Sequence, residues 1–600
     1  MANSTEKQVT APDPVQMSKA MTQIAERSQR LVTEFLQHQD PNALGLSDPL
    51  NIGKAFIDMT SKMMADPTKL MKAQMDLWQS YMTLWQTTAS RMMGATAQPV
   101  VATDRQDRRF KDEAWNENVV FDYIKQSYLL TAEWMQRTVN DVEGLDDKTR
   151  RKVDFYTKQF ADAVAPTNFL MTNPEVLRAT VESGGENLVK GLEHLLDDLE
   201  RGKGKLSIKM VDESAFKIGE NVATTPGKVV FQNDLMQLIQ YAPTTETVHR
   251  RPLLIVPPWI NKFYILDLRA KNSFIKWAVD QGITVFVVSW VNPNAELAAK
   301  SFEDYMLEGP LTALDAIEQA TGERDINAIG YCIGGTLMAS TLAYMTAKGD
   351  DRIKSITFFT TMIDFTEAGE LSVFIDEEQL AALEDRMNKD GYLDGRAMAT
   401  TFNMLRANDL IWSFVVNNYL LGKEPFPFDL LYWNSDSTRM PAAMHSFYLR
   451  NMYQQNRLVE PGGITLDGVP IDLSEVKLPT FVLSTREDHI APWKSTYAAT
   501  QIYKGPVKFV LAMSGHIAGV VNPPSDPPKY GYWTKSGRAP RDPEKWLAGA
   551  TAHEGSWWPE WKAWLDKHGG GQVPARAPGD GKLKPIEDAP GGYVAVKAGD

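Results

Sequence analysis

The 600-residue sequence has a single cysteine, Cys332, and so cannot close an internal disulfide. It has no long run of basic residues, and 63 Lys and Arg against 76 Asp and Glu leave a net charge of −13. That balance argues against a general nucleic-acid binder, because neutralising phosphates needs clustered cations. We find neither a metal-ligand cluster nor a nucleotide-binding motif, and expect no metal and no resident cofactor. The first residues, MANSTEKQVTAPDP, have no apolar h-region, so we expect no secretory leader and a cytoplasmic protein. Long hydrophobic runs are almost absent. The exception, residues 326 to 347, carries no charge and could span a bilayer by length. Asn327, Gly330, Gly334 and Gly335 divide it instead into a strand, a tight turn and a helix, and no transmembrane segment is expected. What is present is a 43% hydrophobic content in a chain long enough for several domains.

Residues 1–215 read as a helical domain. Met71, Met75, Trp78, Met82, Trp85, Ala89 and Met92 recur at spacings of four and three, an apolar seam along one helix. Leu70, Leu77, Tyr81 and Leu84 widen the seam, so much of the circumference is expected to be buried. Asp66 and Pro67 suit an N-cap and first helical position. The seam has two readings: an ordinary core helix, or a soft Met/Trp surface for a partner. A helix ending in Gly202 and Gly204 puts a boundary near 205 to 225.

Beyond it, six short apolar runs alternate with helical stretches: 251–256, 283–290, 326–331, 353–360, 478–485 and 506–512. Continuous apolar strands separated by helices imply a mostly parallel sheet covered on both faces, the α/β class. We assign 216–568 to this catalytic domain. The gap after the fourth run is too long for one crossover, so about 364–447 is expected to be an inserted cap over the carboxyl end of the sheet. The Gly/Pro-rich residues 569–600 read as a flexible tail.

Gly330-Tyr331-Cys332-Ile333-Gly334-Gly335 follows a strand and opens a helix, the context of the nucleophile elbow of the α/β-hydrolase fold, with cysteine in place of serine. Helix N-terminal polarity there favours thiolate. A free thiol with a pKa of about 8.5 is little ionised at neutral pH and needs a base. Among eight histidines, the order nucleophile, acid, histidine selects Asp488 after the fifth run and His516 after the sixth. His489 is a rival base that sits at the acid's position, and Asp364 is a reserve acid better suited to capping or cap contacts. An oxyanion hole needs two backbone donors. Ile333 supplies one, and the loop after the first run supplies the other from Trp259 or Ile260, since Pro257 and Pro258 have no N–H.

With these residues in hand, DRRFKDEAW (107–115), VPPWINKFYILDL (256–268), GYCIGGT (330–336), REDHIAPW (486–493), SGHIAGVVNPP (514–524) and GSWWPEWKAWL (555–565) resemble the poly(3-hydroxyalkanoate) synthases, most closely class I. The resemblance implies an acyltransferase that polymerises 3-hydroxyacyl-CoA, such as 3-hydroxybutyryl-CoA, with release of CoA through a thioester on Cys332. It implies that Asp488 either orients His516 or helps activate the attacking hydroxyl. It also implies a homodimer at the surface of cytoplasmic polyester granules, and places Trp433 in the cap near the dimer interface, where packing within the cap is the other reading. The rival functions are a cysteine-nucleophile hydrolase or thioesterase, whose acceptor is water, and a non-catalytic granule-coat protein.

Overall fold

The computed structural model describes residues 26–27, 52–104, 107–204 and 206–597. The stretch read for a leader, and His38, lie outside these residues. The described chain divides into two compact units, one of residues up to 212 together with 402–426, the other of 213–401 and 427–600.

The first unit is helical. Its helix Pro67–Met92 is capped by Asp66, whose side chain accepts from the Lys69 amide at 3.2 Å, with Pro67 in the first turn. The side facing helix Val119–Asn140 carries Leu77, Tyr81 and the fully buried Leu84. Tyr81 accordingly bonds the Ser127 carbonyl at 3.2 Å, and Trp134 donates to the Ala73 carbonyl at 2.9 Å. The Met/Trp seam is the other side. Met71, Trp78 and Trp85 are 66%, 62% and 62% exposed. The expectation that this helix buries much of its circumference is therefore corrected: two apolar stripes share it and only one is covered. A second departure concerns the cap, since residues 402–426 fold with this helical unit. Tyr419 donates to Asp198 at 2.5 Å and Asn187 donates to the Leu420 carbonyl at 2.7 Å. Helix Glu186–Arg201 must also approach this segment closely. A Cβ on Gly191 would fall 1.8 Å from the Tyr419 carbonyl oxygen.

The second unit is built on an eleven-stranded sheet. In chain order its strands are β1 (Gly227–Gln232), β2 (Met236–Tyr241), β3 (Leu253–Val256), β4 (Val285–Trp290), β5 (Ile326–Tyr331), β6 (Ile353–Phe359), β7 (Thr480–Thr485), β8 (Val507–Ala512), β9 (Gly531–Thr534), β10 (Thr551–Glu554) and β11 (Glu587–Asp588). The spatial order is β10-β9-β8-β7-β6-β5-β3-β4-β2-β1-β11. Strands β3 to β8 pair in parallel and are the six runs read from the sequence, while the flanking strands pair antiparallel. Their almost continuous burial follows from helices covering both faces. The chain passes from β3 to β4 on one side and then to β5 on the other. The strand order therefore reverses at β3/β5, and a crevice opens outside their carboxyl ends. This is the α/β-hydrolase fold. No helix of the described residues is long and apolar enough to cross a membrane.

The tail differs from its expectation. Gln572–Pro574 pairs with Thr247–His249, and β11 pairs with β1. The Gly and Pro residues make turns between short pairing segments here, so the composition that suggests looseness serves chain reversal.

Candidate active site

Strand β5 ends at Tyr331, and Cys332 begins a helix, Ile333–Lys348, with φ 53° and ψ −125°. A left-handed φ is costly for a residue with a side chain. Here it is held by the Cys332 amide, which donates to the Phe359 carbonyl at 2.9 Å, and by the Cys332 carbonyl, which accepts from Gly335 at 2.9 Å. The flanking glycines leave no room for side chains. A Cβ on Gly330 would lie 2.5 Å from the Gly335 Cα, one on Gly334 2.4 Å from the Val256 carbonyl, and one on Gly335 1.9 Å from Thr361 Oγ1. The bend lifts the Cys332 side chain out of the sheet, where it is half-buried rather than sunk in the core.

Asp488 and His516 reach this bend from neighbouring strand ends. β7 and β8 are in register to Thr485 and Ala512, and the loops beyond stay joined. Arg486 donates to the Ala512 carbonyl at 2.9 Å and Glu487 to the Ser514 carbonyl at 3.0 Å. His516 Nδ1 then lies 2.7 Å from Asp488 Oδ2. Both oxygens of Asp488 are fully engaged: Oδ2 also accepts from Thr485 Oγ1 at 3.1 Å, and Oδ1 from the Ile490 and Ala491 amides at 2.9 and 2.8 Å. The same ring lies within electrostatic reach of the Cys332 sulfur. Burial opposes charge on the ring, but the Asp488 carboxylate and the Cys332 sulfur outweigh it and raise the His516 pKa to about 10.

Further residues hold the imidazole in place. Tyr331 donates to the His516 carbonyl at 3.3 Å. Trp557 and Trp558 donate to the Gly519 and Val520 carbonyls at 2.9 and 3.0 Å, gripping the loop just after the histidine. The GSWWPEW phrase thus acquires a physical role that its local pattern does not reveal.

The other singled-out residues are placed as follows. His489 is half-buried beside the acid, with its carbonyl against Gly369. Asp364 accepts from the Thr366 amide at 2.9 Å and from Asn456 at 2.8 Å, a turn and cap contact. Ile333 stands in the first helical turn, where amides lack intrahelical acceptors. The ring of Trp259 is buried against Trp290 and Tyr305, at centroid distances of 5.5 and 4.8 Å, which leaves its backbone as what it can offer. Neither the Trp259 nor the Ile260 amide donates a hydrogen bond among the described residues. Trp433 is buried, and its indole N–H donates to the Lys262 carbonyl at 2.7 Å.

Tyr448 and Tyr453 escape sequence reasoning. Their rings are 5.6 Å apart, and burial above all raises the pKa of both hydroxyls, with Tyr453 and then Cys332 adding to the effect on Tyr448, and Cys332 to that on Tyr453. Five positions separate them, and they meet because Leu449–Gln454 is a π-helical turn. Among the described residues no group of His, Cys, Asp or Glu could hold a metal ion.

Comparison with known proteins agrees with this architecture. Residues 106–278 match the family model for the poly-beta-hydroxybutyrate polymerase (PhaC) N-terminus, and 266–523 match the alpha/beta hydrolase fold. The chain is 52% identical over 598 residues to a poly(3-hydroxyalkanoate) polymerase of Methylorubrum extorquens, covering 98% of each chain. It is 51% identical to the poly(3-hydroxyalkanoate) polymerase subunit of Rhizobium meliloti, over 98% of this chain and 96% of that one. With the corresponding subunit of Cupriavidus necator it shares 43% identity, over 90% and 91%.

Proposed function

The chain belongs to the poly(3-hydroxyalkanoate) polymerases and is an acyltransferase that polymerises hydroxyalkanoates; from that premise we propose that it takes (R)-3-hydroxybutyryl-CoA and builds the polyester through a thioester on Cys332. The observation that carries this reading is the imidazole of His516, held by the Asp488 carboxylate at 2.7 Å and close enough to the Cys332 sulfur for that sulfur to raise its pKa. The Cys332 thiolate adds to the thioester carbonyl, and the oxyanion is received by the Ile333 amide and by the Trp259 or Ile260 amide. The carbon–sulfur bond to CoA breaks, and the departing thiolate takes the proton carried by His516. Acylation removes the charge on Cys332 that helped raise the histidine, so the ring becomes a base able to accept the proton of an incoming 3-hydroxyl. That oxygen attacks the acyl-Cys332, an oxoester forms, and the thiolate is regenerated.

Asp488 orients His516 in this scheme. A carboxylate offers about four acceptor sites, and all four are occupied by His516, Thr485, Ile490 and Ala491. CoA enters and leaves as part of the substrate, and no other cofactor takes part. The exposed Met/Trp stripe supports contact with the apolar surface of the polyester granule, and the enzyme acts there as a homodimer in the cytoplasm. The buried bond from Trp433 to Lys262 supports a role for this tryptophan within its own cap.

One assay tests the reading. The protein is incubated with 3-hydroxybutyryl-CoA, free CoA is followed with a thiol reagent, and precipitated polyester is weighed. CoA and polymer together are expected. CoA with only free acid would identify a hydrolase, and silence in both channels a coat protein.

A further inference from the structure

The loop after β3 has its carbonyl groups fastened one after another. Trp290 donates its indole N–H to the Pro257 carbonyl at 2.9 Å. The Thr438 hydroxyl donates to the Trp259 carbonyl, and the Thr438 amide to the Ile260 carbonyl at 3.0 Å. Trp433 holds the Lys262 carbonyl, and the neighbouring Lys262 ammonium lies 2.7 Å from the Asp436 carboxylate with both side chains almost wholly buried. Asn261 also forms an isolated antiparallel bridge with Ser437. Three of the four carbonyl anchors therefore come from one cap segment, residues 433–438. Thr438 alone grips two consecutive carbonyls.

In a peptide unit the carbonyl and the following amide point in opposite directions. Fastening the Trp259 carbonyl to Thr438 therefore fixes the direction of the Ile260 amide, which is left without a partner on its own side. On the opposite flank the loop touches the start of the nucleophile helix, since a Cβ on Gly334 would meet the Val256 and Pro257 carbonyl oxygens at 2.4 and 2.5 Å. Resting on the Cys332 reading, we infer that Thr438 is a positioning residue: it aims the second oxyanion donor, the Ile260 amide, at the carbonyl held by Cys332. It touches no reacting atom. Because Thr438 belongs to the cap, seating of the cap and assembly of the oxyanion hole are one event. A cap that lifts away releases the Trp259 and Ile260 carbonyls and disarms acyl transfer, while the Cys332–His516–Asp488 set stays assembled.

Two reactions of the same sulfur separate this role from general structural support. Alkylation by iodoacetamide is a displacement at saturated carbon, which needs the thiolate but no oxyanion hole. Acylation by 3-hydroxybutyryl-CoA needs both. In full-length protein, Thr438→Val is expected to slow single-turnover CoA release about 10- to 100-fold, less than the roughly 10²–10³-fold that loss of an oxyanion donor itself costs, with little change in KM and an unchanged alkylation rate. Thr438→Ser, which keeps the hydroxyl, is expected to recover most of the acylation rate. Trp433→Phe tests the other end of the clasp should the valine variant not fold, with acylation slowed about threefold to tenfold on the same reasoning and alkylation again spared. Unchanged acylation in both Thr438→Val and Trp433→Phe overturns the inference. So does a parallel fall of acylation and alkylation, which means the triad itself has been disturbed. Acylation that persists in Cys332→Ala would instead remove the underlying nucleophile reading, a result read on a different variant.

Discussion

His516 Nδ1 sits 2.7 Å from Asp488 Oδ2, and no part of the Asp488 side chain reaches solvent. The two residues come from adjacent parallel strands whose loops remain zipped by backbone bonds beyond the sheet, so the contact is set by register rather than by flexible side chains. A carboxylate that already accepts three other hydrogen bonds cannot swing away from the ring. Asp488→Asn replaces an acceptor with a group whose amide can face Nδ1, favouring the wrong tautomer. We expect kcat for CoA release to fall on the order of 10³-fold or more, as for acid-to-amide changes in comparable triads, with KM less affected. Steady-state kinetics on the purified variant check this, and an activity within about tenfold of the parent would show that the acid lies elsewhere.

The raised pKa of His516 has a consequence for stability. A histidine that titrates near 10 when folded and near its ordinary value of 6.5 when unfolded contributes fully below 6.5. Between 6.5 and 10 the unfolded chain has already lost the proton that the folded chain retains, and the contribution drains away as pH rises. The stability advantage of the parent over His516→Gln should therefore shrink on going from neutral pH to about pH 10. Thermal unfolding of both proteins in matched buffers measures it, and a gap that widens with alkalinity would reverse the assignment of charge.

Trp557 illustrates support from outside the triad. Its indole N–H holds the Gly519 carbonyl, three residues beyond His516, and its ring stacks on Phe274 at 6.1 Å. Trp557→Phe keeps most of the ring packing but leaves a buried carbonyl unsatisfied, a cost of about 1–3 kcal/mol. We expect a lower melting temperature and a kcat reduced several-fold, with the pH dependence of acylation displaced as His516 loosens. A variant with lower stability but an unaltered pH profile would limit Trp557 to packing.

The catalytic half was readable because its signals are local. Each parallel strand is a continuous apolar run, and Gly330, Gly334 and Gly335 mark the only kind of backbone that lets the helix start so close to Val256 and Thr361. Chain order then sufficed to select Asp488 and His516. The flanking strands were harder: GKVVFQ and MQLIQY mix polar and apolar residues, and Gln237 and Gln240 are buried by pairing that only the tertiary fold supplies. The Tyr448–Tyr453 meeting depends on a π-turn that leaves no periodic trace. Likewise, the grip of Thr438 on Trp259 spans 179 positions of sequence. In the helix Pro67–Met92, periodicity gave one broad Met/Trp seam widened by Leu77, Tyr81 and Leu84, and could not show that only part of it would face Val119–Asn140. The Leu/Tyr side won, and the Met/Trp side was left to solvent.

That solvent-facing stripe supports a prediction in which stability and particle binding part company. Trp78 and Trp85 are each 62% exposed, lie two turns apart on one face, and are joined by Met71, Met75, Met82 and Met92. Removing exposed apolar side chains forfeits little packing, so Trp78→Gln with Trp85→Gln should change unfolding free energy by no more than about 0.5 kcal/mol per site. Initial CoA release from soluble substrate should also be unchanged, because neither residue is near Cys332 in the chain or in the triad's contacts. Adsorption to an apolar polyester is another matter: two indoles bury a large area when they meet such a surface, at roughly 25 cal/mol per Å². The double variant should therefore remain in the supernatant when polymer particles are sedimented, whereas the parent pellets with them. Equal pelleting of the two proteins would show that the stripe is not the contact with the granule, and a loss of thermal stability in the double variant would show that it is already covered by protein.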